Sequence, residues 1–229
     1  MLEMVKNWED QSDQRAIFLN CYSMMTRNML SAIELREFND PDWVDRLLNQ
    51  FAHHYFIALE AYERSPSTAP LIWQIAHSSS QTADTYALQG LLLGVNAHIN
   101  YDLVFTLVEL LEPEWAELSD SQRAERYADH SYVNEIIART IDAVQDTVLE
   151  PAMPVMDIID KLFGPLDEMM LSRLITNWRD RVWNYAVLLL ESKESAERER
   201  VIHQVEETAF QQARAIIGKD LSTAFGELL

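Results

Sequence analysis

One cysteine, Cys21, is all the chain holds in 229 residues. No intramolecular disulfide can form, and a paired-cysteine zinc site is excluded with it. Glycine and proline are scarce, at 5 and 7, which argues against a turn-rich sheet fold and against disorder. Basic residues are few as well: 18 Lys and Arg stand against 37 Asp and Glu, a formal charge of −19. A surface of that sign repels phosphate backbones and anionic headgroups, so no nucleic-acid partner is expected. There is no glycine-rich phosphate loop, hence no nucleotide-cofactor motif, and no Gly-x-Ser-x-Gly for a nucleophile. Glu-x-x-His is missing too, which disfavours a ferritin-style di-iron site. The opening stretch MLEMVKNWEDQ carries acids and no apolar signal region, so the expected location is cytoplasmic.

What is present is a helical pattern. Residues are 48% hydrophobic, enough for one full core that buries roughly 70% of the unfolded surface. Apolar residues recur at three- and four-residue steps almost throughout, and no two-residue alternation persists. The expected architecture is a single all-α domain over 1–229, a seven- or eight-helix bundle around a buried central helix.

Individual helices follow from their signals. A first runs from about Asp13 to Glu37, with Ile17, Cys21, Met24, Met25 and Leu30 inward. Asp40-Pro41 reads as an N-cap and first-turn proline opening a helix to Arg64, which carries Phe51 and His54 on its inner stripe. A short helix over Ala69–Ser80 turns Leu71, Ile72 and Ile75 inward. The stretch Thr85–Leu111 is apolar on nearly every side, as in a core helix or a membrane span. Asn96, His98, Asn100 and Asp102 lie mid-segment, and an aspartate at a bilayer centre costs about 2.5–3.5 kcal/mol on insertion scales. The expectation is a buried core helix and no membrane span. Ser119-x-x-Gln122 looks like a capping box, and the next inward stripe reads Tyr127, His130, Asn134, Ile137, Ile141, Val144 and Val148. A short helix with Ile158 and Leu162, a long one to about Leu190 and a last one over Ser195–Ile217 complete the set.

The informative residues are polar groups in apolar places. His98 and Asp102 are four apart, which puts them on one helical face. A buried carboxylate needs a partner, and Arg179 or Arg181 is the expected cation. His54, His130 and Asn134 fall on inner stripes of two other helices, so one internal cluster is expected, with His98, Asp102 and Asn134 almost inaccessible. Two chemistries fit such a cluster. A divalent metal could be chelated by His98 and Asp102 one turn apart, with His54 or His130 as third ligand and Glu60 more remote. Alternatively Asp102 orients His98 for acid–base work on a small molecule without metal. A non-catalytic hydrogen-bond network of the same residues is the competing reading. Gly90 and Gly94 precede His98 on its side and imply either a close helix crossing or a ligand. The expectation is that alanine destabilises at Gly90 and is nearly neutral at Gly94. His77 reads as a helix-end residue, His203 as solvated, and Asp157-x-x-Asp160 as too short for a magnesium–diphosphate motif. Ligand identity and oligomeric state are not legible.

The segment GLLLGVNAHINYDLVFTL, Gly90 to Leu107, resembles the hallmark of an uncharacterised bacterial family of helical proteins marked by Asn-Ala-His-Ile-Asn-x-Asp-Leu. Looser agreement extends to Tyr132-Val133-Asn134 and to Arg179-x-x-x-Trp183-x-x-Ala186. The resemblance implies that Asn96, His98, Asn100, Asp102, Asn134, Arg179 and Trp183 share one feature, of unknown role. A fainter similarity, to the helical zinc-dependent phospholipase C and nuclease family, rests on His-x-x-x-Asp. Here His130 is followed four on by Asn134 where that family has a glutamate, so it serves as analogy only.

Overall fold

A computed structural model describes residues 1–81, 87–144 and 168–218. Helices α1 (Leu2–Asp10), α2 (Arg15–Glu34), α3 (Pro41–Arg64) and α4 (Leu71–Ser79) come first, with a 3₁₀ turn at Pro66–Thr68. Helix α5 (Ala87–Asn96) runs through a π-helical segment, Ala97–Asp102, into α6 (Leu103–Leu111). Then follow α7 (Asp120–Val144), α8 (Glu168–Glu191) and α9 (Ser195–Ile217). No strand occurs among the described residues, and the all-α bundle expected from periodicity is the fold.

The start signals act as written. Asp40 Oδ1 accepts from Trp43 N–H at 3.0 Å, capping α3 just ahead of Pro41. The Ser119 N–H donates to Gln122 Oε1 at 2.9 Å while Gln122 N–H reaches Ser119 Oγ at 3.3 Å, a reciprocal capping box. Helix α1 is missing from the sequence expectation, although Val5 and Trp8 have helix spacing. Trp8 is buried and lies beneath the Arg15 guanidinium, 4.5 Å from ring centroid, which fastens α1 to α2.

The rod α5–π–α6 forms the axis. Helices α2, α4 and α9 pack on α5, α3 and α8 on α6, and α3, α4, α8 and α9 on the π segment. Ala87–Leu111 is long and apolar enough to cross a membrane, yet 78% of its most apolar window is buried within the protein. That matches the core-helix reading. Rotational phase is where expectation slips. Met29 is buried and Leu30 exposed on α2, Trp73 is buried and Leu71 exposed on α4, and Tyr127 is exposed on α7. The inner face of α7 is Asp129, His130, Val133, Ile136, Thr140 and Ile141; His130 and Ile141 fall where expected, and the rest lie about one residue from the expected stripe. An apolar stripe wider than 100° leaves its centre ambiguous by about one residue. The expected helix around Ile158, the side chains of Val144 and Val148, Thr85, and Asp157-x-x-Asp160 lie outside the described residues.

Candidate functional site

The π segment positions the first group. An i→i+5 turn inserted in an α-helix widens it locally, and such turns are frequent at functional sites. Here it covers Ala97 to Asp102, which holds both His98 and Asp102. His98 Nδ1 lies 3.0 Å from Asp102 Oδ2, and both side chains are almost fully buried. The second partner of the carboxylate is an indole: Trp73 Nε1–H donates to Oδ1 at 3.1 Å and to Oδ2 at 3.0 Å. A carboxylate only accepts, so Nδ1 carries the imidazole hydrogen and Nε2 keeps a bare lone pair. Nε2 has no hydrogen-bond partner among the described residues.

Aromatic rings enclose that imidazole. Phe51 stacks on it, with centroids 3.5 Å apart and planes 5° from parallel. Tyr22 meets it edge-on at 4.6 Å, and Phe18 and Tyr55 stand at 6.0 Å. Burial lowers the His98 pKa, opposed by the hydrogen bond and charge of Asp102, so the ring is neutral at physiological pH. No arginine reaches Asp102 among the described residues, and the expected Arg179 or Arg181 pairing is corrected. Trp73 takes the cation's place. The signal for it was a tryptophan on an apolar stripe, whose N–H needs an acceptor once buried.

Arg181 belongs to a second group on the opposite side of the rod. Asn100 Nδ2 donates to Asn96 Oδ1 at 3.0 Å, and Asn96 Nδ2 donates to the Ala209 carbonyl at 2.9 Å. Gln212 completes it from α9 once its amide is oriented to match its neighbours: the nitrogen then donates to Asn96 Oδ1 at 2.8 Å, and the oxygen accepts from Trp178 Nε1 at 3.2 Å and from Arg181. This network ties α5 to α8 and α9. Gln212, buried in an otherwise charged helix, escaped the sequence reading.

A third group clasps α7 to α8. His130 Nε2 donates to the Arg179 carbonyl at 3.1 Å, and Arg179 Nη2 donates to the His130 carbonyl at 2.6 Å. The ring of Trp183 packs 5.2 Å from His130. Burial, then the Arg179 charge, hold the His130 pKa well below normal. Asn134 is half-buried, not sealed, and hydrogen-bonds to neither His98 nor Asp102. The single expected cluster is therefore three separate hydrogen-bonded groups.

The metal expectation does not fit these positions. His54 Nε2 binds Glu109 at 3.0 Å at the rim, His130 is taken by Arg179, and Glu60 pairs with Arg64 at the surface. Phe51, not a ligand, covers His98. Among the described residues no three His, Cys, Asp or Glu side chains converge.

Beside the His98 group lies a cavity of about 200 Å³. Its wall is apolar apart from a few groups, among them His98, Tyr22 and Arg179. Cys21 also lines it, its thiol pushed up to about 12 by burial, so it is protonated and a poor nucleophile.

Gly94 reverses its expectation. A Cβ there would stand 2.5 Å from Phe18 Cδ2 and 3.2 Å from Phe18 Cβ, whereas one at Gly90 would meet only Ser80 Oγ at 3.3 Å. The Phe18 ring and its stem both block the site, so α2 and α5 must separate. Gly94→Ala is expected to lose about 1–3 kcal/mol in urea denaturation, and Gly90→Ala less than about 1 kcal/mol. A stable Gly94→Ala would show that Phe18 swings away at no cost.

Fold and site together define an all-helical protein with a buried His–Asp–Trp group beside an apolar cavity. The chain belongs to the family of unknown function DUF5995, whose model matches residues 1–219. No curated protein and no solved structure matches it.

Proposed function

We propose that this protein binds a small, largely apolar molecule in its apolar cavity, with His98 as the acceptor that orients it. The observation that carries this reading is a cavity of about 200 Å³ whose wall includes His98. Native cores pack at crystal-like density, with few voids larger than water. An apolar cavity of roughly 150 Å³ already takes up benzene, so the space suits a ligand of about ten non-hydrogen atoms. Asp102 and Trp73 fix the tautomer of His98 and present a neutral imidazole, which accepts a hydrogen bond or takes a proton from a ligand. Acid–base catalysis is the second reading, favoured by the π turn that carries both residues.

The test is ligand-induced stabilisation. Saturation at about 100 times Kd should add about 2.7 kcal/mol, read as a Tm rise with benzene or 1-octanol. Val133→Phe, which puts a ring into the cavity wall, should abolish that rise without lowering stability. If neither compound shifts Tm and Val133→Phe costs more than about 1 kcal/mol, as overpacking does, the site is a packed core and the reading fails.

A further inference from the structure

The cavity wall contains a cation with no ion pair among the described residues. Arg179 is 3% exposed, and the ion pairs of the described residues leave it out. Its Nη2 is engaged by the His130 carbonyl at 2.6 Å and faces His130 Nδ1 at 3.4 Å, while Nε has no partner. Burying an arginine without a carboxylate beside it is costly. Burial brings its pKa down to about 10, with Asp180 opposing, so it stays cationic near neutrality. Asp180 itself is within reach of the Tyr127 hydroxyl, at 3.4 Å. The rest of the cavity wall is hydrocarbon and aromatic, as at Met25, Leu47, Leu91 and Ile175.

We propose that the ligand of this cavity is a monocarboxylate with a compact apolar body, its carboxylate seated on the Arg179 guanidinium. This rests on the cavity being a binding site, not on His98 accepting from the ligand, since a carboxylate brings no proton at pH 7.5, and it names the class of molecule that site takes. A planar carboxylate matches the fork of an arginine edge. A carboxylate needs one cation, whereas a phosphate dianion would bring a second charge into a wall that is otherwise hydrocarbon and aromatic. The body should hold about ten non-hydrogen atoms by the volume comparison above. Octanoate is the natural probe, and 1-octanol is its uncharged counterpart.

Binding of the two probes to the full-length protein, measured by calorimetry at pH 7.5, separates the outcomes. Octanoate is expected to bind at least about 30-fold more tightly than 1-octanol, the discrimination given by pairing a buried charge. In Arg179→Met the preference should vanish while 1-octanol binding persists. Arg179→Lys, which keeps the charge, should retain part of it. Equal affinity of the wild type for both probes overturns the carboxylate assignment and leaves the cavity reading standing. Binding of neither overturns both, and it needs no variant to fold. An octanoate preference that survives in Arg179→Met also overturns the assignment, because another group would then hold the anion.

Discussion

Acidification from pH 8 to pH 5 is expected to remove about 2 kcal/mol of stability through His77 alone. His77 is 3% exposed, stacks on Trp73 at 5.0 Å and packs against Tyr62 at 4.8 Å. Burial, then the Arg15 charge, lowers its pKa to about 3, against a partial rise from Asp13. The unfolded chain therefore binds a proton near pH 6.5 that the folded chain refuses. Protons favour the unfolded state, so stability is complete above about 6.5 and is lost as pH falls toward 3. His98 and His130, also shifted down by burial, add losses of the same sign. Denaturant midpoints at pH 8, 6.5 and 5 give the slope. His77→Phe keeps an aromatic ring between Trp73 and Tyr62 and should flatten part of it. An unchanged slope in that variant would place the acid sensitivity elsewhere.

Asp102→Ala is expected to lose about 3 kcal/mol, because it orphans Trp73 Nε1–H and His98 Nδ1–H, each worth roughly 1–3 kcal/mol when left unpaired in the core. For a chain this long that lowers Tm by about 6–12 °C. Asp102→Asn behaves differently. It keeps the volume and one acceptor for Trp73, while its amide donates to His98 Nδ1 and moves the imidazole hydrogen to Nε2. No arginine or lysine is left behind, since none pairs with Asp102 among the described residues. Stability at or above wild type is expected, with ¹⁵N NMR reporting the exchanged tautomer. A gain would mean that the carboxylate is kept against stability, as residues retained for function are. An Asp102→Ala variant as stable as wild type would remove the structural role assigned to the pair.

The sequence by itself determined the helical class, the buried axial helix and the helix starts at Asp40 and Ser119. These depend on local periodicity and on side chains that satisfy backbone groups three residues away, so neighbours in sequence settle them. It also determined that His98 and Asp102 share a face, because four residues of helix bring any such pair together. The partners of those residues come from tertiary structure alone. Trp73 is 29 residues from Asp102, Gln212 and Ala209 lie more than 100 from the asparagines they contact, and Arg179 is 49 from His130. Which helix faces which depends on rotations of about one residue that a broad apolar stripe leaves open. Such a rotation put Phe18, not the expected Ile17, against Gly94. Nor does composition mark the π turn or the cavity. The first is a local change of hydrogen-bond register, and the second is the space left where six helices, each already satisfied along its own length, do not quite meet.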